Sequence, residues 1–158
     1  MNKVQKRSVV HKRSVVHFNA KDIEMPPWKK EAEDFINLVL ESLSLENWEL
    51  SVLFCGNCYI KKLNAQYRKK NEPTDVLSFP LGEKVRSGRY LAGDLVISLD
   101  ALKENSLFFN VSEDEELRRL LVHGILHLSG QDHSSCNADE PMLKTQEKIL
   151  SRLKGKVL

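Results

Sequence analysis

Residues 123–133 of the chain read HGILHLSGQDH. The stretch continues a run of apolar residues with helical spacing, so His123 and His127 should lie one turn apart on the same helix face. Gly130 can adopt a positive φ, which would end the helix and turn the chain back. His133 would then reach the same point. Imidazole is a common zinc ligand, so the three histidines predict a metal site with its fourth position open to water.

The helix that carries this stretch is also marked at its beginning. Ser112 is a suitable N-cap, and Glu115 follows three residues later, as a capping box requires. The acidic residues of this first turn suit the positive end of the helix dipole. Apolar residues with helical spacing then follow up to Leu128. The sequence therefore predicts a helix that begins after Ser112 and stops at Gly130.

The histidine spacing matches the metzincin protease pattern H-E-x-x-H-x-x-G-x-x-H, with one difference. All three histidines and the glycine are in place, but Gly124 stands where the proteases have glutamate. That glutamate is the general base of peptide hydrolysis. Its replacement argues against a protease mechanism and leaves metal-assisted hydrolysis of another bond open.

The remaining patterns predict four strands and five helices. Alternating or continuous apolar runs indicate strands at about 14–19, 48–54, 75–79 and 93–98, the third ending at Pro80. A charged, glycine-bearing hairpin loop is expected over 83–89. Helical periodicity indicates helices at about 27–43, 57–68, 99–109, 112–130 and 139–153. In the second helix, Ile60, Leu63 and Tyr67 are expected to face inward.

Composition is that of one globular domain. The chain has 158 residues, of which 41% are hydrophobic and 29% charged, and a net charge of +2 is too small to indicate a nucleic-acid partner by itself. No apolar run is long enough to span a bilayer, and no apolar region follows the basic N-terminus. Three cysteines without a signal peptide favour a reducing compartment, so a cytoplasmic location is expected.

A tandem repeat stands at the N-terminus. The hexapeptide KRSVVH occurs at 6–11 and again at 12–17. Two copies of six residues are too few for a repeat architecture. We expect residues 1–13 to form a disordered extension and residues 14–158 to form the metal-dependent hydrolase domain, with no internal linker that marks a further boundary.

The motifs resemble those of the YbeY family of ribosomal RNA maturation factors. Residues 123–133 match the family pattern H-G-x-L-H-L-x-G-x-D-H at every fixed position. A basic arm at 68–73 precedes the motif TDVLSFP at 74–80, and GDLVIS at 93–98 matches the family's G-D-[IV]-x-I-S. The helix preceding the arm, LNAQYR at 63–68, also fits. The resemblance covers about residues 14–153.

This resemblance implies a single α+β domain with a small mixed four-stranded sheet, about five helices and a zincin-like site. The implied activity is a metal-dependent, single-strand-preferring endoribonuclease acting in 16S rRNA 3′-end maturation and ribosome quality control. The implied cofactor is one zinc ion held by His123, His127, His133 and water. The implied partners are ribosomal RNA and the small ribosomal subunit, and they could include ribosomal proteins and an assembly GTPase.

Arg68 and two following lysines are candidates for contact with RNA. A guanidinium is permanently charged and can bind two phosphate oxygens at once, so Arg68 could stabilise a phosphodiester transition state in a catalytic role beside His123. It could instead be a surface arginine at a helix C-terminus, and the resemblance favours the functional role. Lys69 and Lys70 could contact the RNA backbone or lie in a solvated turn.

Other polar residues near the motifs have more than one interpretation. Asp75 and Asp132 could each orient a ligand histidine or cap a turn. Cys55 and Cys58 form a C-x-x-C pair that could be a redox motif or half a zinc site, but inert cysteines are favoured. Cys136 is a less favoured fourth ligand. The general base is not assigned, and attack by the RNA's own 2′-hydroxyl stays open.

Two other functions compete with the endoribonuclease. One is a metallopeptidase, based on the shared histidine spacing and opposed by the missing glutamate. The other is a non-catalytic ribosome assembly factor whose zinc is structural. A site closed by a fourth protein ligand would favour the latter, and removing its metal would unfold the chain.

Overall fold

The computed structural model describes residues 12–155, 157 and 158. Its strands are β1 (Val15–Lys21), β2 (Trp48–Cys55), β3 (Val76–Lys84) and β4 (Tyr90–Ser98). Its helices are α1 (Lys29–Ser42), α2 (Asn57–Arg68), α3 (Leu99–Phe109), α4 (Glu113–Leu128) and α5 (Pro141–Arg152). Helix α2 and helix α3 have the bounds that the sequence predicts, and the other elements differ by a few residues at their ends.

The four strands form one mixed sheet in the order β1-β2-β4-β3. Strand β1 is parallel to β2, and β2 is parallel to β4. Strand β3 is antiparallel to β4 and, as the last strand in this order, lies at an edge of the sheet. The expectation of an α+β domain with a small mixed four-stranded sheet and about five helices is confirmed.

The prediction that strand β3 ends at Pro80 is wrong. The strand continues to Lys84, with a shift in its pairing to β4 between Pro80 and Glu83. Proline has no N–H to donate to a sheet, but an edge strand tolerates it because one side of that strand has no neighbour. The hairpin turn is correspondingly shorter than predicted, and the N–H of Val85 donates to the carbonyl of Arg89 across it.

Apolar clusters lie on both faces of the sheet. Consecutive residues of a strand point to opposite faces, and Phe54 belongs to the larger buried cluster whereas Cys55 belongs to the smaller one. Residues of α1, α4 and α5 join the larger cluster. Ile60 of α2 joins the smaller cluster, so α2 lies on the face opposite α4. Among the described helices, none combines the length and apolar character that crossing a bilayer requires.

Gly124 allows helix α4 to approach the sheet closely. The residue is buried, and a Cβ atom placed on it would lie 2.7 Å from Cδ2 of Leu95 in β4. Leu95 is itself fully buried, so its side chain has little room to move away. The glycine that replaces the protease glutamate is therefore required for packing, and a side chain at this position would be directed toward the sheet.

We expect Gly124→Val to lower the free energy of unfolding by about 1–3 kcal/mol, because overpacking a core typically costs that much. Urea unfolding of the variant would measure the change. Gly155→Val is the matched control, since no described atom other than those of its chain neighbours lies within 4 Å of a Cβ placed there, and it should change stability by less than about 0.5 kcal/mol. Equal stability of the two variants would contradict the role assigned to Gly124.

Residues 1–11, which contain the first copy of the repeat, lie outside the described residues. The expectation of a disordered extension over 1–13 and of a domain over 14–158 stays a prediction. The structure describes the last two residues of that predicted extension, Lys12 and Arg13. The backbone carbonyl of Lys12 accepts a 3.2 Å hydrogen bond from the N–H of Asn47. Arg13 lies 3.5 Å from the carboxylate of Asp34.

Candidate metal centre

Helix α4 begins with the predicted capping box. The hydroxyl of Ser112 accepts from the N–H of Glu115, and the Glu115 carboxylate accepts from the N–H of Ser112, each at 3.1 Å. The N–H and the hydroxyl of Ser112 both donate to the Glu115 carboxylate, and these two bonds hold the pKa of Glu115 below its usual value, the backbone bond contributing most. The box fixes where the helix starts, and therefore which residues occupy the face that carries His123 and His127.

The same helix ends with the turn that the sequence predicts. Gly130 has a φ of 93°. Its N–H donates to the carbonyl of His127 at 3.0 Å, and the N–H of Gln131 donates to that of Leu126 at 3.1 Å. This pair of bonds is the Schellman motif, in which a glycine with positive φ reverses the chain after a helix. The reversal returns His133 to the side of the helix that carries the other two histidines.

His123, His127 and His133 form the three-histidine cluster. One ring nitrogen of each lies within 4.8 Å of the corresponding nitrogen of the other two. The Nε2 atoms of His123 and His127 are 3.2 Å apart. Two nitrogens bound to one tetrahedral zinc at about 2.0–2.1 Å would be about 3.3–3.4 Å apart. The cluster is therefore of a size that fits a zinc-type ion.

Hydrogen bonds at the opposite ring nitrogens orient two of these side chains. Nδ1 of His123 lies 2.8 Å from Oε1 of Gln146, and Nδ1 of His133 lies 2.9 Å from the carbonyl of Ser135. Both partners are acceptors, so each Nδ1 must carry the proton and donate it. In the neutral rings Nε2 then keeps its lone pair, which is the form that binds a metal.

The environment of the cluster also favours uncharged rings. Burial lowers the pKa of His123 and that of His127, and it is the largest cause for both. The neighbouring rings add to this effect, since His133 lowers the pKa of His123, and His123 lowers that of His127. Metal ligands must be deprotonated to bind, so these lowered pKa values prepare the two histidines for binding near neutral pH.

Gln146 is the residue of this site that sequence reasoning missed. It lies on α5, 23 residues from His123 along the chain, and only 5% of it is exposed. It shares the buried face of that helix with Met142 and Ile149. A glutamine among apolar residues at helical spacing is the signal that could have identified it, because a buried amide needs a partner.

The two aspartates considered for this supporting role are placed differently. Oδ1 of Asp132 accepts from the N–H of His133 at 2.8 Å and lies 3.7 Å from Nδ1 of His127, so it caps the turn beside the cluster. Asp75 caps the turn before β3 by accepting from the N–H of Val76 at 2.7 Å. Its other oxygen accepts from the side chain of Asn105 at 3.0 Å.

Arg68 lies on the wall of the cleft that contains the three-histidine cluster. The cleft has a volume of about 620 Å³, and its lining also includes Asp75 and Asp132. Arg68 occupies the last turn of α2, and Lys69 ends the helix with a φ of 60°. Strand order and helix packing thus bring Arg68 into the same cleft as His123, which is 55 positions away along the chain.

A buried asparagine holds the segment that follows Arg68. The side-chain amide of Asn64 donates to the backbone carbonyl of Glu72 at 2.9 Å. The backbone carbonyl of Asn64 accepts from the N–H of Lys70 at 3.3 Å. Asn64 is on α2, so both bonds tie the turn back to the helix that carries Arg68. The arginine therefore projects from a backbone that is fixed on both sides of it.

The cysteines take no part in the cluster. Cys136 is exposed and does not belong to the group of side chains that could hold a metal among the described residues. Cys55 is buried, which raises the pKa of its thiol to about 11, and Cys58 is exposed. A thiol with a raised pKa is a poor nucleophile, which agrees with the inert interpretation of Cys55.

The fold and the cluster together define a class of single-domain α+β proteins with a three-histidine site that could hold a metal ion. Residues 15–154 match the family model described as Endoribonuclease YbeY. The chain therefore belongs to the YbeY endoribonuclease family, and the assignment made from the sequence motifs is confirmed.

Curated relatives and a solved structure agree with this assignment. The chain is 51% identical to Endoribonuclease YbeY of Treponema denticola over 127 residues, which cover 78% of this chain and 82% of the relative. It is 47% identical to Endoribonuclease YbeY of Borrelia turicatae over 133 residues, which cover 83% and 89%. The solution structure of TM1509 from Thermotoga maritima matches with a TM-score of 0.60 at 28% identity and covers 87% of both chains.

We expect Gln146→Leu to weaken zinc binding by about 10- to 100-fold, as loss of a partner that orients a ligand histidine typically does. The reason is that Nδ1 of His123 would lose its acceptor and the ring its orientation. Competition with a chelating dye would measure the affinity. Lys144→Leu, on the same helix, is the control and should bind as the unaltered protein does. Unchanged affinity in Gln146→Leu would contradict the orienting role.

Proposed function

We propose that this protein is a zinc-dependent, single-strand-preferring endoribonuclease that acts in 16S rRNA 3′-end maturation and ribosome quality control. The observation that carries the proposal is that Arg68 and the three-histidine cluster share one cleft. Family membership supports RNA as the substrate. The partners would be ribosomal RNA and the small ribosomal subunit, with ribosomal proteins and an assembly GTPase as further contacts, and the location would be the cytoplasm.

In this proposal His123, His127 and His133 hold the ion. When bound, zinc would lower the pKa of water and polarise a phosphoryl oxygen. The donor set supports zinc, since the described residues offer three imidazoles and no fourth protein ligand, as is typical of catalytic zinc sites. Cys136 lies outside the cluster, which favours an open site over the closed, structural one that a non-catalytic assembly factor would need.

Arg68 would bind the phosphate at which cleavage occurs. A phosphodiester gains negative charge in the transition state, and a guanidinium can donate two parallel hydrogen bonds to it. The position of Arg68 on the cleft wall lets the side chain approach a phosphate beside the cluster. Lys69 and Lys70 follow it in an exposed turn and would contact neighbouring phosphates.

The same cleft argues against peptide hydrolysis by the metzincin mechanism. Position 124 faces Leu95 and the sheet, so a glutamate could not act there as a general base without displacing the core. The carboxylates that line the cleft are those of Asp75 and Asp132. Asp75 already accepts hydrogen bonds at both of its oxygens, from Val76 and Asn105. Attack by zinc-bound water or by the 2′-hydroxyl of the RNA would need no protein nucleophile, but either route requires a group that accepts the proton, and no residue is assigned to that role.

Single-turnover cleavage of an end-labelled fragment from the 16S rRNA 3′ region tests this function. The zinc-loaded protein should cut the single-stranded fragment faster than the same fragment annealed to its complement. Chelation should stop the reaction, and added zinc should restore it. A casein digest run alongside should show no proteolysis. Folded, zinc-loaded protein that cuts neither RNA, or activity that persists after chelation, would overturn the proposal.

A further inference from the structure

A second concave surface lies on the face of the sheet that α2 covers only in part. This aromatic groove has a volume of about 510 Å³ and is distinct from the cleft of the histidines. Its apolar lining comes from α2 and from three strands, and consists of Leu53, Tyr59, Leu63, Tyr67, Phe79, Leu95 and Val96. At this groove Leu53 and Phe79 are partly exposed, and Asn19 and Asp94 are exposed.

Tyr67 lines this groove, where its ring packs against Phe79 and is otherwise largely exposed. The sequence pattern predicts that Tyr67 faces inward, and this prediction is wrong, because the residue is 59% exposed. Its ring contacts Phe79 with a centroid distance of 5.1 Å and an interplanar angle of 71°. An edge-to-face contact of this kind fixes a ring through one side and leaves area for another partner.

The groove and the metal cleft are separated by one strand. Ser78 and Pro80 of β3 line the cleft, whereas Phe79 between them lines the groove. This alternation follows from the strand geometry, in which successive side chains point to opposite faces. Strand β3 is the edge strand of the sheet. An RNA strand bound in the cleft can therefore pass over that edge to the groove. Tyr67 and Arg68, adjacent on α2, line the groove and the cleft respectively.

The distribution of charge indicates which part of a nucleic acid would enter the groove. Among the described residues, the lining contains no lysine or arginine, and its one carboxylate is that of Asp94. The cations Arg68, Lys69 and Lys70 follow Tyr67 directly in the chain. Phosphates would therefore stay with these cations outside the groove, and an uncharged group would occupy the apolar surface.

We propose that the aromatic groove is a nucleobase-binding site, in which an unpaired base of the RNA strand stacks on the exposed face of Tyr67. Stacking on an aromatic side chain is tolerant of sequence because every base has a π-face. A base held in a duplex cannot stack in this way, so the site accounts for a preference for single strands. The inference rests on the proposed function, since the base belongs to a strand whose phosphates occupy the cleft.

Binding of a fluorescent single-stranded 2′-O-methyl RNA oligonucleotide, followed by anisotropy with the zinc-loaded protein, tests the site without depending on cleavage. Tyr67→Ala should raise Kd by about 5- to 50-fold, whereas Tyr67→Phe and Tyr67→Trp should stay within about threefold of the unaltered protein. Phe108→Ala is the matched control. Phe108 is 82% exposed and in edge-to-face contact with Phe109, but it lines neither the groove nor the cleft.

An abasic oligonucleotide separates stacking from other contacts. If Tyr67 binds a base, Tyr67→Ala and the unaltered protein should bind the abasic strand with equal affinity. If Tyr67→Ala and the unaltered protein bound the intact strand equally, the nucleobase site would be overturned. The groove would then be a candidate for contact with a protein partner. If Tyr67→Ala lost the same affinity for the intact strand as for the abasic strand, the nucleobase site would also be overturned. The same conclusion would follow if the unaltered protein bound neither strand.

Cleavage measured on the same preparations distinguishes this inference from the proposed function. Binding that depends on Tyr67 in a protein that cuts no RNA would overturn the nuclease and keep the nucleobase site. Cleavage with binding indifferent to Tyr67 would overturn the site and keep the nuclease.

Discussion

Replacing His123 with alanine is expected to reduce cleavage of single-stranded RNA by about 10³-fold or more, together with loss of bound zinc. A catalytic ion contributes several kcal/mol to a phosphoryl transition state, and each 1.36 kcal/mol corresponds to about tenfold in rate. Nε2 of His123 lies 3.2 Å from that of His127, so its removal leaves an incomplete ligand set. Zinc content and single-turnover rate on the same sample measure both effects.

His17→Ala is the matched control for this experiment. His17 is a histidine of β1, outside the cluster, and it contacts the carboxylate of Glu49 at 2.9 Å. The control should keep its zinc and its rate. Circular dichroism of His123→Ala and of the chelated unaltered protein separates a catalytic ion from a structural one. If both unfold, the ion is structural, and the assembly-factor function moves ahead of the nuclease.

Replacing Arg68 with alanine is expected to lower the cleavage rate by about 10²- to 10³-fold while zinc content stays unchanged. Removing one preorganised donor to a developing negative charge typically has an effect of this size. Arg68→Lys should recover only part of the rate, because an ammonium cannot reproduce the paired hydrogen bonds of a guanidinium. The unchanged zinc content distinguishes this variant from the loss of a histidine.

Arg152→Ala is the control that tests the alternative interpretation of Arg68. Arg152 is also an exposed arginine in the last turn of a helix, in this case α5, and it does not line the cleft. If Arg68 only complements the helix dipole, the two alanine variants should behave alike, with small changes in stability and full activity. A normal rate in folded Arg68→Ala would remove the guanidinium from the proposed mechanism.

Local signals in the sequence were sufficient for the elements and for the histidines. Ser112, Glu115 and Gly130 mark the two ends of α4 through hydrogen bonds within a few residues of themselves. With those ends fixed, the spacing of His123 and His127 places both rings on one side of the helix. Each of these features depends on neighbours along the chain, so a single sequence contains what is needed to predict them.

The supporting residues of the site depend on contacts that a linear pattern does not contain. Gln146 became a partner of His123 only because α5 packs on α4. Asp75, considered as such a partner, instead receives a hydrogen bond from Asn105 of α3. Helical spacing shows that a residue lies on a buried face, but the atom it meets there is determined by the crossing of two helices.

Sequence alone determined the three-histidine motif, the ends of its helix and the family. Tertiary structure decided the rest, namely that Arg68 lines the same cleft as the cluster, that β3 continues through Pro80 at the edge of the sheet, and that Tyr67 is largely exposed. The physical reason is one of range. Caps, turns and periodicity act over a few residues, whereas exposure, strand order and the walls of a cleft arise from segments that meet only when the chain has folded.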